Sequence, residues 1–159
     1  MSNRVTRFLQ YLTVATVCGC LFVSCNRDIV FSKYHSVGSD GWERTDTLFF
    51  ETDPMAHAGK YREELGLRIN SHFPFMSMTV IVSQQALPSG LSRKDTVEAI
   101  LTDKEGTVLG EGVSHYQYLF RLRDMELLKG DTLRVKIWHN MIRQQLAGVT
   151  DVGFTLAVN

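Results

Sequence analysis

Apolar and polar residues alternate with a period of two along most of the chain, the signature of strands with one buried face. Leu65, Leu67 and Ile69 alternate with Gly66, Arg68 and Asn70. Met76, Met78, Val80 and Val82 share a face, as do Val97, Ala99 and Leu101. Tyr116, Tyr118, Phe120 and Leu122 oppose Gln117, Leu119, Arg121 and Arg123. Leu133, Val135 and Ile137 alternate with Thr132, Arg134 and Lys136, and Val152, Phe154, Leu156 and Val158 close the chain. Residues 29–34 and 45–52 are weaker strand candidates. Turn chemistry falls between the runs, at Pro88-Ser89-Gly90, Asp103 to Gly106, Lys129-Gly130-Asp131 and Ala147-Gly148. The Asp103 to Gly106 stretch predicts a hairpin joining the Val97 strand to Thr107-Val108-Leu109. About eight one-sided strands and no sustained helical period predict an all-β fold, a two-sheet antiparallel β-sandwich. Residues 119–128 offer one rival, a helical turn around Met125 to Leu128.

The first 25 residues follow a different pattern. Arg4 and Arg7 precede a mostly apolar run from Phe8 to Val23. That run is shorter than the roughly 20 residues a membrane-spanning helix needs. A basic start, a short apolar core and small residues at its end describe a secretory signal peptide. Phe22-Val23-Ser24-Cys25 has the form of a bacterial lipobox, in which the cysteine thiolate accepts a diacylglyceryl group. Cleavage before Cys25 then frees an amine for a further acyl chain. Val17-Cys18-Gly19-Cys20 is a competing box, and a plain secretory peptide with incidental cysteines is the bland alternative. The division expected is a lipoprotein signal peptide over 1–24, a lipidated segment over 25–35 and a sandwich over 36–159. The covalent lipid at Cys25 is the only attached group expected; no cofactor, metal or catalytic residue is.

Composition narrows the class. All three cysteines lie within the first 25 of 159 residues, so no disulfide framework follows. Basic and acidic residues number 17 each. Loss of Arg4 and Arg7 with the leader leaves 15 basic against 17 acidic residues. No basic surface for nucleic acid is expected, and membrane attachment falls to lipid. The segment Asn26-Arg27-Asp28 lacks the acidic run of surface-exported lipoproteins, which favours a periplasm-facing anchor.

Candidate chemistry is sparse. His35, His57, His72, His115 and His139 have no metal-ligand spacing. His139, in phase with Ile137, reads as a structural residue at the rim of the core. Ser114 precedes His115, but strand neighbours point to opposite faces, and no nucleophile elbow is present. Ala58-Gly59-Lys60 lacks the rest of a phosphate loop, and acidic residues are too scattered for a calcium loop. Trp138 lies out of phase with the apolar side of its strand, and Trp42 lies in a loop region. Both are candidate contacts for a partner or a glycan; the bland reading is that they fill the end of the sandwich.

The order of motifs resembles the GldH-type gliding motility lipoproteins of Bacteroidetes. The matching residues are Cys25 with Val30-Phe31-Ser32-Lys33-Tyr34, then Asp95-Thr96-Val97 leading to Leu101, Asp103, Gly106, Leu109, Gly110 and Gly112. Val135-Lys136-Ile137, His139 and Met141 follow, and then Gly148-Val149-Thr150-Asp151-Val152-Gly153-Phe154. The resemblance implies a non-enzymatic, lipid-anchored envelope protein. It supports gliding, or the associated type IX secretion machinery, through contacts with other envelope proteins. The competing expectation is a carbohydrate-binding sandwich that uses Trp42 and Trp138.

Overall fold

A computed structural model describes residues 28–158. Cys25 and the signal peptide lie outside the described residues. Twelve strands are present among the described residues: β1 (Ile29–Ser36), β2 (Trp42–Glu43), β3 (Leu48–Glu51), β4 (Gly59–Asn70), β5 (Ser77–Leu87) and β6 (Ser92–Ile100) in the first half. The second half holds β7 (Glu111–Gly112), β8 (His115–Arg121), β9 (Met125–Leu127), β10 (Thr132–His139), β11 (Gln145–Leu146) and β12 (Val149–Val158). One sheet runs β1-β12-β4-β8-β7, with β9 also on β4; the other runs β3-β10-β5-β6. All pairings are antiparallel, and β2 with β11 forms a separate small ribbon. The fold is the expected all-β sandwich.

The core lies between the sheets. Leu65, Leu67, Ile69, Val152, Phe154 and Leu156 come from one, and Met78, Val80, Val82, Leu133, Val135 and Ile137 from the other; all are buried. Phe154 sits centrally, with ring centroids 6.4 Å from Phe31 and 6.3 Å from Phe50. Residues 29–35, grouped with the lipidated segment in the sequence reading, belong to β1, and Phe31 and Tyr34 pair with Leu156 and Gly153 of β12.

Two sequence expectations are corrected. Residues 125–127 form β9 against Gly59 to Tyr61 and not a helical turn. The Asp103 to Gly106 turn is present, its Asp103 Oδ1 accepting from the Glu105 and Thr107 amides at 3.0 and 2.7 Å. Beyond it, however, only an isolated Thr102–Val108 bridge forms, so no strand spans 107–109.

The last sequence motif has a packing explanation. Gly148 holds φ at +89°, and its missing side chain lets the turn close on His72 and Phe73. Asp151 accepts from Ser36 Oγ at 2.6 Å, pinning β1 to β12. Gly153 and its cross-strand partner Gly66 leave room for the Tyr34 ring, which covers both on the outer face. Arg68 lies 4.3 Å from the centre of that ring.

The sandwich has two distinct ends. The near end is where β1, β4, β6 and β10 begin and where β5, β9 and β12 finish. The far end holds the 71–76 turn, the 101–110 loop and the 140–144 loop. The eleven steps along the twelve residues of β4, at about 3.3 Å each, separate the ends by roughly 36 Å.

Candidate functional site

The far end carries an open depression of about 550 Å³, lined by Phe75, Thr79, Asn140, Met141, Ile142 and Arg143. Two loops build it. The Asn140 amide donates to the Thr79 carbonyl at 2.8 Å, fixing where β10 ends. The Thr79 amide donates to Met141 Sδ at 3.4 Å, which draws that side chain onto the floor. Phe73 and Phe75 pack edge to face at 5.6 Å, and the Arg143 guanidinium lies 5.7 Å from the Phe75 ring centre. Ile142 is 96% exposed and Met76 is 51% exposed. Burying a side chain of that size is worth about 2 kcal/mol, so a surface that covered Ile142 would gain by it. A second groove, of about 310 Å³, runs between Ile100, Leu109 and the Gln117 to Phe120 edge of β8.

Beneath the far end lies Trp42. The β2–β11 ribbon holds it in the core, fully buried, with its indole N–H donated to the Asp46 carbonyl at 3.1 Å. Its ring meets the His139 imidazole edge-on at 5.2 Å. The loop placement expected for Trp42 is therefore corrected: the ring plugs the end of the sandwich, and no face is open to a sugar or partner. His139 is itself fully buried, beyond the rim position expected, with Nδ1 accepting from the Met141 amide at 3.4 Å. Burial holds its imidazole below the usual range, and outweighs the pull of the Trp42 carbonyl. Trp138 is half-buried on the opposite, outer face of β10, with Lys94 Nζ 5.1 Å from its ring centre. The two tryptophans are thus on opposite sides of one sheet and form no common platform.

A buried polar cluster crosses between the sheets. Glu63 on β4 is fully buried. Its Oε2 accepts from Gln84 Nε2 of β5 at 2.6 Å and from Arg93 Nη2 of β6. Arg93 also donates to Gln84 Oε1 at 3.0 Å, and to the carbonyls of Asp124 and Arg123 at 3.0 and 2.8 Å. Those carbonyls lie in the break between β8 and β9, where the strand leaves its ladder with β4. Arg93 pairs with Asp95 at 2.7 Å, and Arg123 pairs with Asp95 from outside. Burial pushes the Glu63 carboxyl up to about 7, against the Gln84 hydrogen bond and the Arg93 charge, with Asp95 adding to the rise. A carboxyl tuned this way resembles a general acid. Here it is enclosed, and every partner is used to join the two sheets. The sequence signal was available: Glu63 is in phase with Tyr61, Leu65 and Leu67, and Gln84 with Val80, Val82 and Ala86.

Ser114 and His115 are also placed differently from expectation. Ser114 lies in the hairpin loop before β8, so the two side chains meet, Oγ to Nδ1, at 3.3 Å. The pair is exposed, and among the described hydrogen bonds no carboxylate orients the imidazole. Among the described residues, no group of three or more His, Cys, Asp or Glu could hold a metal ion.

Residues 29–156 match the model of the GldH lipoprotein family. The gliding motility lipoprotein GldH of Flavobacterium johnsoniae is 29% identical over 146 residues, which cover 86% of this chain and 89% of that protein. The gliding motility lipoprotein GldH homolog of Christiangramia forsetii is 25% identical, with 94% of each chain covered. Among solved structures, a family 35 carbohydrate binding module from Clostridium thermocellum superposes with a TM-score of 0.39 and 16% identity, over 77% of this chain and 78% of that one. A protein from Sulfurospirillum deleyianum gives 0.42 and 9%, over 81% and 98%. Likenesses this loose carry no argument about a ligand. The sequence match, continuous through β1 to β12, places the chain in the GldH lipoprotein family.

Proposed function

We propose that the chain is a non-enzymatic, lipid-anchored cell-envelope protein. It serves gliding motility, or the type IX secretion machinery associated with it, through protein–protein contacts. Acylated Cys25 holds it on the outer membrane, facing the periplasm. The contacts are made at the far end of the sandwich. The observation that carries this reading is the open apolar depression around Met141 and Ile142, at the end opposite the one from which the tether leaves. An exposed apolar centre rimmed by polar side chains is the usual anatomy of a protein contact. The names of both relatives support the motility setting. The enclosed Glu63 and the unoriented Ser114–His115 pair support the non-enzymatic part.

The test is in-cell crosslinking and affinity capture of the tagged lipoprotein, read by mass spectrometry, beside Cys25→Ala. Wild type is expected to capture motility or type IX secretion components that the variant does not. Capture of envelope glycan without protein would overturn the reading and favour a sugar-binding sandwich.

A further inference from the structure

Five large apolar side chains are exposed at the near end, far from the depression described above. They are Ile29 at 42%, Val30 at 46%, Leu91 at 45%, Leu128 at 59% and Val158 at 48%. Register places them together. Ile29 opens β1 opposite Ala157, and Val158 closes β12 opposite Tyr61. Leu128 follows β9, whose Leu127 lies opposite Gly59. Leu91 lies in the β5–β6 turn, its carbonyl accepting from the Ala86 amide at 2.8 Å. The loops of this end carry Lys129 against Asp28, Asp53 and the buried Asp131, and Lys60 lies at the start of β4.

We propose that the near end is a membrane-docking surface, and that its occupant is the lipid bilayer into which the acyl chains insert. The proposal rests on the anchor at Cys25. Only three residues separate Cys25 from Ile29, so four residue steps join them. Fully extended, they span at most about 14 Å. The polar band on each side of a bilayer is roughly 5–7 Å deep. The tether therefore holds this end within reach of the interface, where apolar side chains gain by partial burial. It also excludes a protein as occupant. A folded domain of about 100 residues has a radius of gyration near 13 Å, so its full width exceeds the gap. The far end, roughly 36 Å higher, is beyond the lipid and open to partners.

The test uses the full lipoprotein, purified from membranes and reconstituted into vesicles of phosphatidylethanolamine and phosphatidylglycerol. The other two cysteines lie in the leader, so Leu91→Cys and Leu128→Cys each add a unique free thiol for a spin label. Ile142→Cys labels the far end, and Lys129→Cys repeats the near-end reading. All four positions are exposed, so the core is left intact. Labels at 91, 128 and 129 are expected to collide several-fold more with oxygen dissolved in lipid than with a water-soluble nickel chelate, and the label at 142 the reverse. Near-end labels as open to nickel as the label at 142 would overturn docking while leaving the anchor intact. The intact mass of the same samples separates the two claims: an unmodified Cys25 would overturn the anchor and the docking surface together.

Discussion

Glu63→Gln keeps the shape of the buried side chain and removes its titration. In the folded chain, burial raises this carboxyl from 4.5 to about 7. The unfolded chain restores the ordinary value. Between those limits the folded state retains a proton that the unfolded state has released. Stability from Glu63 is thus fully present below pH 4.5 and is lost as pH rises through 7. An interval of about 2.5 pH units corresponds to about 3 kcal/mol. Glutamine leaves Arg93 its contacts with the Gln84 side chain and with the carbonyls of Arg123 and Asp124, so no guanidinium is orphaned. The assay is urea unfolding of the mature wild type and variant at about pH 4 and about pH 8. Subtracting the two proteins cancels the titrating groups that Glu63 does not touch. The variant is expected to gain on wild type by about 3 kcal/mol from the lower to the higher pH, whatever its offset at either one. A difference that does not change with pH would refute the placement of Glu63 as a buried, proton-retaining acid.

Two further substitutions test the packing. Phe154→Ala opens a cavity between Phe31 and Phe50 and is expected to cost about 3–5 kcal/mol in chemical unfolding; a loss below about 1 kcal/mol would contradict its central position. Gly153→Ala forces the Tyr34 ring off the outer face and is expected to cost about 1–3 kcal/mol. In a Tyr34→Ala background the same change should be nearly neutral, and full additivity in that double-mutant cycle would show that the ring is not what the new methyl meets.

Eight strands were legible because most of them bury one face, so side-chain polarity records which side is inward; β1, with no fully buried side chain, was one of the two weaker candidates. β2, β7, β9 and β11 were not legible. Each has two or three residues and exists because a long-range partner brings it into register, as Tyr61 does for Met125. The β8–β9 break at residues 122–124 is likewise set by tertiary demand, since Arg93 from the opposite sheet takes the carbonyls freed there. Trp42 read as a loop residue because nothing local shows that β11 folds back over it. Trp138 was read from its phase, and its half-buried outer position agrees with that phase. The far-end depression joins residues 75–79, where the 71–76 turn enters β5, to the 140–143 loop, and their meeting depends on the β5–β10 pairing. Conversely, the closing motif was recognisable before it was explicable: Gly148 and Gly153 mark a close approach and a covering ring that only the packing reveals.

The central claim is that the far end of a lipid-held sandwich makes the working contact. The most direct measurement places a photo-crosslinking amino acid at Ile142 in living cells, with the same probe at exposed Ser32 as reference. Irradiation is expected to yield an adduct with a motility or type IX secretion component at Ile142 alone, and to lose it in the Cys25→Ala background. The same adducts at both positions, or none at Ile142 while the protein remains lipidated and folded, would contradict the account.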